Sequence, residues 1–341
     1  MSQLNFKLTL PNSVTLRRMF RAGLVSCRIA AYAMVTNAVG AHELNNTIAM
    51  LYADQELTSN AEQGYDDGKY LSNSYTGNTH THEVNHQTHA VGKATVVYLG
   101  NEAVLVTDGT SKVLFDPFFH KDYGRFQRVP LALSRAMHAG EPPYDDIDAI
   151  LISHAHGDHF SAEEVVQYLQ QHTQVQLIAP EQAIVALKNA GLPQAALQRI
   201  HGLKVAFEPA ISKIILPDLT VQAMPIPHAG WPSFQDVDNF IYRVELASSI
   251  SVMHLGDADD KTQHFLPFQT PLKEQPTHLG MPPFWFFYSE EGQHIVDNIL
   301  NTKNSIAIHV PVAVPRKLRA SGRAYFSEPG KQIEVVAEDA N

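Results

Sequence analysis

The sequence predicts an α/β domain made of two β-rich halves with helices outside them. Three observations lead there. Short β-rich segments separated by turn residues begin at Ala94. An apolar strand, a polar loop and a capped helix follow one another between Asp148 and Leu169. No stretch rich in Pro, Gly or Ser divides the halves, so they read as one domain over residues 94–341.

Taken in order, Ala94 to Leu99, Ala103 to Thr107 and Lys112 to Phe115 form a meander broken by Gly-Asn and Asp-Gly-Thr-Ser turns and ended by Asp116-Pro117. Residues 120–146, with Gly, Pro, His and aromatics, predict a long loop at a site rim. Asp148 to Ser153 reads as a buried strand. Ser161-Ala162-Glu163-Glu164 reads as a capping box opening a helix with Val165, Val166 and Leu169 inward. Val175 to Ala179 is a strand and Pro180 to Ala190 a helix closed by Gly191. Strands follow at Lys204 to Phe207, Lys213 to Leu216 and Leu219 to Met224, then a hairpin of Asn239 to Leu246 with Ser249 to His254. A helix over Ser289 to Leu300 and a strand over Ser305 to Ile308 complete the series.

Composition bounds the function. A charged fraction of 18% and a hydrophobic fraction of 44% describe a globular chain, and a net charge of -10 without a basic tract argues against nucleic acid as partner. Residues 1–41 hold Lys7, Arg17, Arg18, Arg21 and Arg28 but no acidic residue, then an apolar core from Ile29 to Val35 and Val39-Gly40-Ala41. That is the layout of a secretory signal peptide and implies a periplasmic or secreted protein; an uncleaved leader would leave it cytoplasmic. Cleavage would also remove Cys27, the single cysteine, leaving a chain that needs no disulfides. No segment approaches the ~20 apolar residues of a membrane span. Residues 42–93 read as a polar arm with a short helix around Asn45 to Leu57. Within it, His80 to His89 contains four histidines without a strand to fix them, and reads as a solvated loop or a lid over the site.

The chemistry concentrates in Ser153-His154-Ala155-His156-Gly157-Asp158-His159, three imidazoles and a carboxylate in a tight loop at a strand's carboxyl end. A His-x-His pair cannot be a helical i, i+4 clamp, so its rings must converge because the loop turns, with Gly157 as the residue that permits the turn. Neutral imidazole and carboxylate are donors for divalent metals, and the cluster reads as a metal site. His228, Asp257 and His309 stand just past three later apolar strands and are the candidates to complete it.

This order, His-x-His-x-Asp-His followed by His, Asp and His, resembles the metallo-β-lactamase superfamily, and the resemblance covers roughly residues 94–335. Asp116-Pro117 and Met253-His254-Leu255-Gly256-Asp257 are also similar to that superfamily, particularly the branch of ascorbate-phosphate lactonase and N-acyl-phosphatidylethanolamine phospholipase D. The resemblance implies a four-layer αββα sandwich with two metal ions. His154, His156 and His228 would hold the first, Asp158, His159 and His309 the second, with Asp257 bridging. Zn²⁺ suits five imidazoles and two carboxylates, with Mn²⁺ or Fe²⁺ as alternatives. Two such ions lower the pKa of a shared water and make hydroxide available, so hydrolysis of an ester, lactone, amide or phosphodiester is the implied reaction. Asp158 and Asp257 are the candidate catalytic residues, Asp158 either as a proton shuttle or as a ligand alone. A noncatalytic metal-binding protein of the same fold, or a β-lactam hydrolase, are the alternatives. Zinc β-lactamases place Cys or Ser at the position of Asp257, which argues against a β-lactam. The Trp-Ser-x-Arg pattern of the phospholipase-like branch is absent after His228.

A small-molecule or lipid-like substrate is expected. Trp231, Phe234, Tyr123, Phe118 and the run Pro282 to Tyr288 are candidates either for an apolar pocket or for packing. The density of that run predicts an exposed patch suited to a homo-oligomer contact.

Overall fold

The computed structural model describes residues 92–206 and 210–337. The expected leader over residues 1–41, the arm over 42–93 as far as Val91, its helix around Asn45 to Leu57 and the His80 to His89 stretch lie outside the described residues.

Two sheets stack face to face. The first contains β1 (Lys93–Gly100), β2 (Ala103–Thr107), β3 (Lys112–Phe115), β4 (Ala149–Leu151), β5 (Gln176–Pro180), β6 (Ile200–Leu203) and β13 (Gln332–Val336), in the order β13-β1-β2-β3-β4-β5-β6. The second contains β7 (Ser212–Leu216), β8 (Leu219–Pro225), β9 (Phe240–Leu246), β10 (Ser251–His254), β11 (Thr277–Met281) and β12 (Thr302–Ser305), in the order β12-β11-β10-β9-β8-β7. Each sheet joins an antiparallel part to a parallel one: β3 to β6 run parallel, as do β10 to β12.

The alternation of side chains explains the layers. Val96 and Tyr98 of β1, Val113 and Phe115 of β3, and Val221, Tyr242, Val244 and Val252 of the second sheet meet between the sheets. The intervening residues Val97, Leu99, Leu105, Leu114 and Ile150 face outward under α2 (Ala162–Gln171) and α3 (Glu181–Asn189). On the far side, Met224, Ile241 and Met253 pack against Phe265 of α4 (Thr262–Phe265), Leu272 of α5 (Gln269–Glu274) and a π-helical turn, Ile295–Ile299. That turn continues the short helix Glu290–His294. The result is the αββα sandwich. Each buried Val, Leu or Ile contributes about 1.5–3 kcal/mol relative to exposure, so both sheets are anchored on both faces.

Several expectations need correction. The stretch 120–146 is not all loop: helix α1 spans Leu131–Ala139, started by Pro130 and stopped by Gly140 at φ +63°, whose N–H reaches the carbonyls of Ala136 and Met137. Only Met137 of that helix is fully buried, which is why apolar periodicity did not reveal it. The strand expected at Lys204 to Phe207 lies earlier, at Ile200–Leu203, because its register with β5 pairs Ile200 with Leu177 and Leu203 with Pro180. The strand expected at Ser305 to Ile308 is Thr302–Ser305. Beyond it the chain runs irregularly to His309, held by Ile306 N–H to Gly280 O (3.0 Å) and Ile308 N–H to Pro282 O (3.0 Å). The strands Thr277–Met281 and Gln332–Val336 were not expected. The capping box at Ser161 is half made: its side chain accepts from Glu164 N–H (3.4 Å), while its own N–H donates to Phe118 O (2.7 Å). Finally, the aromatic run is no exposed patch. Phe284, Phe286 and Phe287 are buried with the helices over the second sheet, and Phe118 is buried under α2.

Candidate metal centre

The structure brings all seven predicted residues together at one end of both sheets. His154, His156, Asp158 and His159 follow β4; His228 follows β8; Asp257 follows β10; His309 lies four residues beyond Ser305, the end of β12. Six of the seven are buried and His156 is half-buried.

Backbone hydrogen bonds set these positions. The first loop turns through His159 N–H to His156 O (3.1 Å) and Phe160 N–H to His156 O (2.8 Å). Gly157 does not take a left-handed conformation, so the expectation that it frees the turn is wrong. Its lack of a side chain serves a close approach instead: a Cβ there would lie 2.7 Å from Lys121 Cδ, and its carbonyl accepts the N–H groups of His120 (3.3 Å) and Lys121 (3.0 Å). The glycine that does need freedom is Gly256, at φ +51° beside Asp257, where a Cβ would sit 2.6 Å from both Asn239 Oδ1 and Ser153 Cβ. Asn239 clamps two ligand loops at once. Its side-chain nitrogen donates to Ile226 O (3.2 Å) and Leu255 O (3.4 Å), and its oxygen accepts from Asp257 N–H (3.1 Å). Ala229 N–H to Asp257 O (2.7 Å) and Asp259 N–H to Pro227 O (2.8 Å) lock the His228 loop to the Asp257 loop. The two sheets are tied here by Tyr242 Oη donating to Ile152 O (2.7 Å) and Phe240 N–H donating to Ser153 O (3.0 Å).

The donors form two sets, His154, His156, His228 and Asp257 in one, Asp158, His159 and His309 in the other, each set with one ligand-type atom per residue within 4.8 Å of the rest. Asp257 connects them. Its Oδ2 lies 3.3 Å from His228 Nε2 and 3.8 Å from His154 Nε2, while Oδ1 lies 3.2 Å from His309 Nε2 and 3.3 Å from His159 Nε2. Asp158 Oδ2 faces the second set only, 3.5 Å from His309 Nε2 and 3.7 Å from His159 Nε2.

What lies behind the rings fixes which nitrogen points inward. His159 Nδ1 pairs with Asp116 Oδ2 (2.9 Å), His154 Nδ1 with Ser153 Oγ (3.0 Å) and His228 Nδ1 with Ala229 O (2.8 Å). The carbonyl and the carboxylate accept a hydrogen bond from Nδ1, which turns Nε2 of His159 and His228 toward the centre. Ser153 also donates its N–H to Asp116 Oδ1 (2.7 Å) and its hydroxyl to Asp116 Oδ2. Asp116 and Ser153 thus brace two rings.

Nε2 of His154, His159, His228 and His309 and Oδ1 of Asp257 are buried, and none makes a hydrogen bond of ordinary geometry. Buried polar atoms are rarely left so, and these five converge on a few ångströms of space. Electrostatics agree. Burial, followed by neighbouring imidazoles, holds His154 well below the usual histidine range and brings His156 down to about 4, so both rings stay neutral and able to donate lone pairs. Burial alone would raise Asp257, but the field of His309 and His159 carries it well below the usual carboxylate range. Burial would likewise depress His309, and the Asp257 charge reverses this and lifts it to about 10. The cavity therefore draws positive charge, and its donor set fits divalent cations held by nitrogen and oxygen.

Sequence reasoning missed the residues that support this centre. Besides Asp116, Ser153 and Asn239, Asn101 donates its side-chain N–H to Asp158 O (3.0 Å) and accepts His309 N–H on its carbonyl (3.3 Å). Glu102 is fully buried behind the second set, 3.5 Å from His254 Nε2 and 3.9 Å from His159 Nδ1, and burial raises its carboxyl well above the ordinary range. His254 is a neutral support: Nε2 donates to Glu102 O (2.9 Å), Nδ1 accepts from Gly256 N–H (3.2 Å), and the ring stacks on Phe115. Three of these, Asp116, Ser153 and His254, lay within quoted motifs, Asp116-Pro117, Ser153 to His159 and Met253 to Asp257; the rest carried no local signal.

Residues 111–270 match the model of the beta-lactamase superfamily domain. A UPF0173 metal-dependent hydrolase of Thermus thermophilus is 29% identical over 145 residues, which is 38% of this chain and 53% of that protein. The chain thus spans about half the length of the curated relatives it matches. Among solved structures, Igni18, a metallo hydrolase from the archaeon Ignicoccus hospitalis, is 15% identical with a TM-score of 0.49 over 71% of this chain and 98% of that one. A protein of Veillonella parvula, described as a possible metal-dependent hydrolase, is 14% identical with a TM-score of 0.47 over 72% and 99%. By its matched segment and its His-x-His-x-Asp-His loop, the chain is similar to the beta-lactamase superfamily domain over residues 111–270.

Proposed function

We propose that the protein is a dinuclear metal-dependent hydrolase. One observation carries the reading: the two oxygens of Asp257 face separate donor sets, Oδ2 toward His154 and His228 and Oδ1 toward His159 and His309, as a carboxylate shared by two cations requires. His154, His156 and His228 would hold one ion and Asp158, His159 and His309 the other, with Zn²⁺ favoured and Mn²⁺ or Fe²⁺ as alternatives. Two divalent ions, when bound, make a water nucleophilic near neutral pH and polarise a scissile carbonyl or phosphoryl oxygen.

The chain's own residues supply the rest. Asp116 and Ser153 hold the His159 and His154 rings so that their lone pairs stay aimed. Asn101 fixes the backbone of both Asp158 and His309. Asp158, with Oδ2 toward His309 and His159, would either take a proton from the attacking water and return it to the leaving group or serve as a ligand alone. Phe126, edge-on to His309 at 4.2 Å, and Trp285, at 5.4 Å, wall that side of the centre and exclude bulk water. The bond cleaved is an ester, lactone, amide or phosphodiester. The signal-like layout of residues 1–41 supports a periplasmic or secreted location, with a cytoplasmic one as the alternative if the leader is not cleaved.

The test is metal content joined to turnover. The protein should carry about two ions per chain, hydrolyse a member of an ester, lactone, amide and phosphodiester panel, lose that activity on chelation and regain it with the ion. Asp257→Ala should lose both metal and activity. Undiminished turnover in metal-free protein would overturn the proposal.

A further inference from the structure

The histidine set lies between aromatic rings, and beyond them the protein exposes apolar side chains where a soluble chain gains nothing by doing so. Phe234 packs on His228 at 5.1 Å and on His156 at 6.1 Å, opposite Phe126 and Trp285 on the His309 side. Those three aromatic rings are buried or half-buried. Trp231 is different. It stands three residues past His228, and 42% of it is open to solvent.

This exposed indole is held in place. Trp231 N–H donates to Asp259 Oδ2 (3.3 Å), and Asp259 is buried two residues beyond Asp257. Gly230 immediately before it takes φ +84°, and a Cβ there would lie 2.9 Å from the Phe234 ring, so the turn into Trp231 is built tightly against the ring that covers His228. Ser233 N–H returns to Gly230 O (2.9 Å), and the Trp231 ring sits edge-to-face with His264 at 5.9 Å. A rigid, half-exposed aromatic face beside a buried polar centre is a recognition surface, because burying it against a ligand releases water at little cost in side-chain freedom. Val312 and Tyr123 repeat the pattern across the centre. Val312, 58% exposed, follows His309 by three residues and donates its N–H to Arg125 O (2.8 Å); Tyr123 belongs to the segment whose N–H groups bind Gly157 O.

We infer that Trp231 is a specificity-determining residue, an aromatic platform that receives an apolar alkyl or aryl group attached to the carbonyl carbon of the substrate. The inference rests on the hydrolase reading, since it places the scissile group over the metals and the apolar group over the indole. Substrates are then carboxylic esters, lactones or amides with an extended apolar acyl part, and their acids are the products.

The experiment uses the metal-loaded full chain and two product-like probes, acetate and phenylacetate, with binding measured by calorimetry. Phenylacetate should bind about tenfold more tightly than acetate, the gain expected from partly burying one aromatic ring. In Trp231→Ala that advantage should vanish while acetate affinity and metal content stay as they were, and Trp231→Phe should recover most of it. Equal affinities for the two acids, or an advantage that survives in Trp231→Ala, would overturn the platform. Failure of both acids to bind a metal-loaded protein would overturn the hydrolytic centre and the platform with it. Trp231-dependent binding of phenylacetate that is equally tight in the metal-free protein would show an indole surface unconnected to the centre and would overturn the platform while leaving the hydrolytic reading in place.

Discussion

At the scale of single residues, the centre depends on side chains that are not themselves candidate ligands. Asp116 accepts three hydrogen bonds, from Ser153 N–H, Ser153 Oγ and His159 Nδ1. In Asp116→Asn the oxygen can still serve Ser153 N–H, but the amide nitrogen cannot accept from His159, which frees that ring to rotate or change tautomer. Metal affinity of the second set should fall about 10–100-fold, read by titrating metal into the chelator-treated variant. Unchanged affinity for both ions would mean that packing alone holds the ring. The seven candidate donors that the fold gathers were legible in the sequence because four occupy one tight loop, the others end apolar runs, and their joint order resembles the superfamily's. Asp116, Asn101 and Asn239 were not, because their roles come from partners far away in the chain: Asp116 meets Ser153 across 37 positions and Asn101 meets Asp158 across 57. His309 was found although the strand meant to present it ends at Ser305, because the chain after that strand stays apolar and buried to Ile308.

At the scale of elements, the turns at the start of β3, β8 and β10, opposite the centre, are latched together by polar groups. Ser111 is fully buried; its hydroxyl donates to Asp218 O (2.8 Å) and accepts from Ala247 N–H (3.1 Å), which joins one turn of the first sheet to two of the second. Ser111→Ala strands both partners and should cost about 1–3 kcal/mol by denaturant unfolding, with metal content unaltered. Asp108 adds a pH dependence. Burial tends to raise its carboxyl, but the N–H groups of Ser111, Ser248 and Thr110 outweigh this and lower it. A carboxyl lowered by folding contributes stability in full above its unfolded pKa, near 4, and loses it as the pH falls through the folded value. Asp108→Asn should therefore flatten the acid limb of the stability profile below about pH 4; an unchanged limb would show that the turn does not depend on the charge. The β2–β3 hairpin was predicted to the residue because Asp-Gly-Thr-Ser is a local signal. The strands Thr277–Met281 and Gln332–Val336 were invisible because pairing with distant partners, β10 and β1, makes them strands.

At the scale of the whole molecule, the donors come from both sheets, so ions held by them would also join the sheets. The first sheet contributes the loop after β4, and the second contributes His228, Asp257 and His309. Tyr242 and Phe240 already tie the sheets at this end, yet the buried nitrogens of His154, His159, His228 and His309 have no ordinary hydrogen bond to keep the loops in register. Ligands that bind only the native state stabilise it by mass action, about 4 kcal/mol at a thousandfold excess over the dissociation constant. Chelation should then lower the midpoint of thermal unfolding by several degrees, and restoring the ion should reverse the shift. The loss should be smaller in Asp257→Ala, which lacks the carboxylate facing both sets and should hold little metal to begin with. A wild-type midpoint indifferent to chelation, in protein shown to have bound metal beforehand, would mean that the two sheets close the centre without help from the ions. The orphaned nitrogens would then have to be satisfied by water.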